Sequence, residues 1–368
     1  MLLIEEIIEE ANKKQASDIH LVSGMRPILR IKRNLQQISD KPILTVDDLW
    51  EIYDYIIKGD VEQDEYFKEN RRLDSSLEWN KIRLRVNVSL SDNKPIFTMR
   101  IVPNSLPKFE ELGLPEIIRK MLYQPQGLFL VTGKTNSGKS TTLNALIDEI
   151  NTKQNKKILT LENPIEYKHT SRKSFIIQKE VGIGKDSKNF REGVMNALRE
   201  DCDILIIGEI RDKETMEAAI DMVESGHLVI GTLHTKSCAE TIDRMISFYE
   251  VKEQTQIKNL LSGLLKIVVS QRLLRHQDGN NLVLAPEVMI VDNIVAANIR
   301  KDKFSVSEIE DAIQSSSDKG SISLTTTLAK LYVSGKISIE MARSQLDPKN
   351  LESLNRTIAQ LNNNFMEE

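Results

Sequence analysis

Ile4, Ile7, Ile8 and Ala11 recur at the spacing of one helical face, with acidic residues between them, so the chain opens on an amphipathic helix. Two later runs, PILRIKR and IRLRVNVSL, alternate apolar with polar positions and predict strands, whereas TVDDLWEIYDYIIK predicts a helix. Residues 1–102 therefore read as a small α+β domain. The stretch RIVPNSLPKFEELGLPE follows with Pro103, Pro107 and Pro115. Proline removes a backbone donor and restricts its predecessor, so 103–115 is expected to be an extended linker. Beyond it the pattern changes. GLFLVT, KKILTL, DILIIG and HLVIGT are short apolar runs separated by helical spacing such as Met216, Ala219, Ile220 and Val223. That alternation predicts a mostly parallel sheet covered by helices over 116–290. From Ile257 onward the signals are mostly helical, and 291–368 is expected to be a helical C-terminal region ending in a polar, fraying tail.

Composition narrows the classes without choosing a function. A chain of 368 residues exceeds one comfortable core and predicts two domains. No run approaches the roughly 18 apolar residues of a membrane span, and the acidic N-terminus lacks the basic start of a secretory signal. Two cysteines, Cys202 and Cys238, are too few and too far apart for a disulfide framework or a zinc module, which favours a reducing cytoplasm. A net charge of −4 and an aromatic content of 5% oppose a surface built to track nucleic acid.

The clearest chemistry lies in GKTNSGKST, Gly133–Thr141, between the apolar run GLFLVT and the helical pattern TTLNALIDEI. Gly, four residues, then Gly-Lys-Ser between strand and helix is the phosphate-loop pattern. Gly133 and Gly138, with Lys134, Thr135, Asn136 and Ser137 between them, let backbone N–H groups wrap a phosphate at a helix N-terminus. Lys139 then neutralises the β and γ oxygens of ATP, Ser140 offers its hydroxyl to Mg²⁺, and Thr141 is placed to meet the α-phosphate. Downstream, Ile204–Ile207 precede Gly208 and Glu209, a strand that delivers a carboxylate to the Mg²⁺ or its waters. Between these motifs, ILTLENPIEY places Glu162 and Glu166 just after another strand, and either could orient the attacking water. GHLVIGTLHT sets His227 and His234 at the two ends of a strand. A strand-end histidine is more often structural than catalytic, yet a neutral imidazole can read the state of a γ-phosphate.

Phosphate loop, acidic ENPIE box, Gly-Glu strand end and histidine box, in that order, resemble the secretion ATPases, the hexameric motors of type II and type IV secretion and of type IV pili. The likeness is strongest to their pilus-retraction (twitching motility) branch. It extends to QASDIHLVSGMRPILRI, RLRVNVSL and FTMRIVP in the first hundred residues. The resemblance implies a small N-terminal α+β (PAS-like) domain, a RecA-like ATPase domain and a helical C-terminal region. It also implies ATP and Mg²⁺ as cofactors, a homo-hexamer on the cytoplasmic side of the inner membrane, and a pilus platform protein as partner. By the same resemblance Glu162 or Glu166 is the water-orienting base, Glu209 the acid beside Mg²⁺, and His227 and His234 the histidine-box pair. Arg85 and Arg100 are implied to reach the nucleotide of a neighbouring subunit. Asn163 stands where the family has Asp, Lys134 and Asn136 replace Pro and Gly, and Ala296 replaces an arginine in a C-terminal segment where Arg300 matches. Pilus extension and type II secretion assembly ATPases, which add a longer N-terminal region and four zinc-binding cysteines, fit less well, and a catalytically weak or silent regulatory ring subunit is the remaining alternative.

Overall fold

A computed structural model describes residues 2–31, 34–102, 107–279 and 281–366. Residues 103–106, where the linker was expected to begin, lie outside the described residues. The chain divides into two compact units. The first combines Met1–Leu106 with Glu162–His169 and Gln178–Asn189, and the second combines Pro107–Leu161 with Thr170–Ile177 and Phe190–Glu368. The acidic box, expected within the ATPase core, thus groups with the N-terminal unit.

In the first unit six strands form one sheet: β1 (Asp18–Leu21), β2 (Ile28–Ile31), β3 (Asn34–Gln37), β4 (Arg72–Trp79), β5 (Ile82–Ser91) and β6 (Lys94–Val102), in the order β3-β2-β1-β6-β5-β4. Among the described residues every pairing in this sheet is antiparallel. Asn80-Lys81 and Asp92-Asn93 all have positive φ, the backbone that two-residue hairpin turns need to match the strand twist. Period-two alternation then sorts the side chains. Leu84, Val86 and Val88 of β5 and Phe97 and Met99 of β6 are buried, while Arg85, Asn87 and Arg100 face outward. The N-terminal helix Leu3–Lys13 adds Ile4, Ile7, Ile8 and Ala11 to the same core. Thr45 caps the helix Val46–Ile57 in a capping box with Asp48.

Seven strands form a second sheet, in the second unit except for Glu162 and residues 178–180: β7 (Gly127–Thr132), β8 (Lys157–Glu162), β9 (Phe175–Glu180), β10 (Ile204–Ile207), β11 (Leu228–Leu233), β12 (Leu265–Arg275) and β13 (Leu282–Ile290). Their order is β13-β12-β7-β11-β10-β8-β9. The neighbours β12, β7, β11, β10 and β8 are parallel, and β13 returns antiparallel to β12. β7, β10 and β11 are buried along their whole length, as a sheet covered on both faces requires. Each fully buried Ile, Leu or Val there contributes about 1.5–3 kcal/mol. Strand order jumps from β7 over β11 and β10 to β8, so the carboxyl end of β7 lies at a switch point, where doubly wound sheets bind ligands.

The long β12–β13 hairpin corrects the expectation of mostly helical structure from Ile257 onward. Ile267, Val268 and Val269 are β-branched, and their stability comes from pairing with Phe129–Val131 of β7, far away in sequence. Helices do follow. Leu328, Ala329, Ile337, Ala342 and Leu354 form a small core on Leu274 and Ala285, and the tail expected to fray is a helix, Leu351–Met366. Among the described residues no helix is long and apolar enough to cross a membrane.

Candidate nucleotide site

β7 ends at Thr132, the loop runs from Gly133 to Gly138, and the helix Lys139–Lys153 begins at once. Gly133 has φ 150°, and a Cβ there would stand 2.3 Å from Ser137 Oγ and 2.6 Å from the Gln271 carbonyl, so only glycine fits. Gly138 has φ 87° and Asn136 φ 64°, so asparagine adopts the left-handed backbone that it tolerates better than most side chains. Lys134, Thr135 and Asn136 are exposed, whereas Ser137 and Lys139 are buried and Ser140 and Thr141 half-buried.

The Lys139 ammonium donates to the Gly133 carbonyl at 2.8 Å and the Lys134 carbonyl at 3.1 Å, and lies 3.3 Å from His234 Nδ1. His234 Nε2 lies 3.2 Å from Glu209 Oε1. An ammonium can only donate, so Nδ1 accepts and Nε2 carries the proton it gives to the carboxylate. The other Glu209 oxygen accepts from Arg211 at 2.6 Å. Glu209 is presented here because Gly208 and Ile210 bond into the sheet, through the Leu161 and Thr232 carbonyls respectively. Phosphate loop, strand-end carboxylate and His234 thus converge at the carboxyl edge of the sheet.

His227 does not join them. It precedes β11, and its Nδ1 lies 3.0 Å from the Met222 carbonyl at the end of the preceding helix. Six strand residues, roughly 20 Å at strand rise, separate it from His234. It lines a cavity of about 390 Å³ with Lys156, Asp203 and Tyr123 at the opposite edge of the sheet.

The remaining predicted residues lie in the first unit. Arg85 Nη1 is 2.8 Å from Glu166 Oε1, and Arg83 Nη2 is 3.0 Å from Glu180 Oε1. Glu180 also meets Lys185 at 3.2 Å and Ser76 at 3.2 Å. Arg100 Nε bonds Asp18 Oδ1 at 3.0 Å. Glu162 is buried and accepts from Gln178 Nε2 at 3.0 Å, whereas Glu166 is half-buried. Reading the sequence missed Arg83, Arg211 and Gln271. A polar Gln within the apolar run IVVSQRLL was the available signal for Gln271.

With this geometry in place, the model of the type II/IV secretion system protein family matches residues 1–357. The chain belongs to that family. It is 38% identical over 343 residues to the type IV pilus retraction ATPase PilT of Pseudomonas aeruginosa, covering 93% of this chain and 97% of the relative. It is 35% identical over 329 residues to a twitching motility protein of Neisseria gonorrhoeae, covering 89% and 86%. The crystal structure of the pilus retraction motor PilT with bound ADP superimposes with a TM-score of 0.87 at 36% identity, covering 95% of this chain and 99% of that one. That solved structure carries a bound nucleotide, ADP, and the small N-terminal sheet domain, α/β domain and helical C-terminal region of this chain are those anticipated above.

Proposed function

We propose that the chain is an ATP-driven ring motor that powers type IV pilus retraction, the activity for which the Pseudomonas relative is named. The observation that carries this reading is the convergence of Lys139, His234 and Glu209 on a phosphate loop, in a chain similar to that relative over 93% of its length.

The chain is an ATPase of its family, and its residues take distinct roles. Loop N–H groups from Gly133 to Gly138 and the helix N-terminus hold the phosphates, with Thr141 toward the α-phosphate. Lys139 leaves its carbonyl partners for the β and γ oxygens. His234, released from that ammonium, is left facing the phosphate with Glu209 fixing its tautomer. Ser140 and Glu209 would hold Mg²⁺. A hydroxyl and one carboxylate are hard oxygen donors, the partial protein set that Mg²⁺ takes when phosphates and waters complete its shell. When bound it supplies neutralisation of charge on the phosphate oxygens. Glu166, with Glu162 second, orients the water. Glu166 is the better placed because its carboxylate is half-exposed, whereas Glu162 is buried against Gln178. Arg85 and Arg100 clamp phosphate oxygens across the subunit boundary of a homo-hexamer, a task suited to a permanently charged fork. The ring works in the cytoplasm at the inner membrane, against the platform protein of the pilus, and uses no nucleic acid.

Deleting the gene in its own host tests the direction of work. Excess surface pili with loss of surface motility is the expected result, and absence of pili would assign extension instead. Phosphate release by the purified chain, set beside Glu209→Gln, tests the chemistry: a folded, nucleotide-binding chain without turnover would be a silent ring subunit.

A further inference from the structure

Gln271 is a buried polar residue, 1% exposed, in the middle of β12. Its Nε2 donates to the Ser137 carbonyl at 2.8 Å, across 134 positions of sequence. Its own backbone oxygen lies 2.6 Å from where a Cβ on Gly133 would stand, and its Nε2 lies 3.2 Å from the same point on Gly138. One residue of β12 therefore packs on both ends of the phosphate loop. Gln271 Oε1 and Ser137 Oγ are buried without a hydrogen-bond partner among the described residues. A buried orphan acceptor is costly, so the amide has a reason to be there, and that reason is its donor half.

A trans peptide holds its C=O and N–H in opposite directions. Fixing the Ser137 carbonyl toward β12 turns the Gly138 N–H away from that strand, as an anion-binding loop requires. We propose that Gln271 is a positioning residue that sets the Ser137–Gly138 peptide for nucleotide phosphates without touching them. This rests on reading Gly133–Thr141 as the phosphate loop. Preorganisation of this kind acts on the affinity for the phosphates, because an unpinned peptide must be ordered at the moment of binding.

Two substitutions in the full chain test the assignment, with a fluorescent ADP analogue as probe and phosphate release as second readout. Gln271→Met keeps the volume and deletes the donor. It is expected to melt near wild type, bind the analogue roughly tenfold more weakly, and lose less in kcat than in kcat/KM. Gln271→Glu keeps the shape and makes the donor titratable. Its affinity relative to wild type should rise as pH falls, because the protonated carboxyl donates to Ser137 whereas the carboxylate repels it, and the methionine variant should show no such recovery. Binding by Gln271→Met within about twofold of wild type, or a pH-independent ratio for Gln271→Glu, overturns the proposal. Should Gln271→Met fail to fold, the glutamate variant alone decides. Lys139→Ala separates the two readings: wild-type binding lost in that variant but kept in Gln271→Met sinks the positioning role alone, whereas no binding by wild type, or equal binding by Lys139→Ala, sinks the phosphate-loop reading itself.

Discussion

Arg85 and Arg100 stand directly opposite each other across β5 and β6, and each guanidinium is matched by a carboxylate brought from another segment, Glu166 for Arg85 and Asp18 for Arg100. Like charges in opposed positions weaken strand pairing, an effect the two carboxylates offset here, and the paired guanidiniums on one outward face are where the proposed sharing of a nucleotide between subunits is tested. In a ring whose sites are shared between neighbours, an Arg85→Ala, Arg100→Ala chain mixed with a Lys139→Ala chain should regain activity, although each is inactive alone. In an equal mixture about a quarter of the interfaces of a heterologous ring pair a good arginine donor with a good loop. Phosphate release that stays at background, with subunit exchange verified, rules out sharing of independently active sites.

Lys139→Ala removes the ammonium that the loop carbonyls and His234 surround. Turnover should fall on the scale of a preorganised transition-state donor, roughly 10²–10³-fold, with the melting temperature nearly unchanged. Turnover close to wild type would show that the phosphates are held elsewhere.

The two glutamates of the acidic box offer a comparison between neighbours. Glu166→Gln should keep nucleotide binding and lose turnover on the scale of general-base catalysis, roughly 10²–10⁴-fold. Glu162→Gln should be milder, because an amide oxygen can still accept from Gln178 Nε2 at the 3.0 Å position. Equal phosphate release by both variants would move the role to Glu209 or beyond.

How far the site was legible depended on the sequence distance its contacts span. Gly133, Gly138, Lys139 and Ser140 are adjacent in the chain, and strand, loop and helix follow within a few residues, so spacing alone located them. Ile4, Ile7, Ile8 and Ala11 were legible because a helix buries residues by local period. The Arg85–Glu166 pair spans 81 positions and the Gln271–Ser137 bond 134, and no local pattern encodes either. The β12–β13 hairpin was missed for the same reason, since four other strands lie between β12 and its partner β7 in the chain. His227 and His234 looked alike in sequence because both flank β11, but a strand has two ends, and only the carboxyl end meets the loop.

Glu287 on β13 links the C-terminal part of the second unit to the helix that follows His234. It is buried, and its Oε2 accepts the backbone N–H of Cys238, the first residue of the helix Cys238–Ser247, at 2.7 Å. Burial pushes the carboxyl above its ordinary value of 4.5; the Cys238 N–H and the charge of Arg272 oppose this, and Glu310 adds to it. The sign follows from linkage. A carboxyl whose folded pKa is raised keeps its proton in the native state where the unfolded chain has lost it, so its contribution is fully present below about pH 4.5 and is lost as pH rises through the folded pKa. Glu287→Gln accepts the same N–H and never ionises. The melting temperature of Glu287→Gln relative to wild type should therefore climb as pH rises from 4.5 and level off once the native carboxyl has ionised. Calorimetry of both chains across that range reads the difference directly, and a difference that stays constant with pH would mean that Glu287 ionises at its ordinary value in the folded protein.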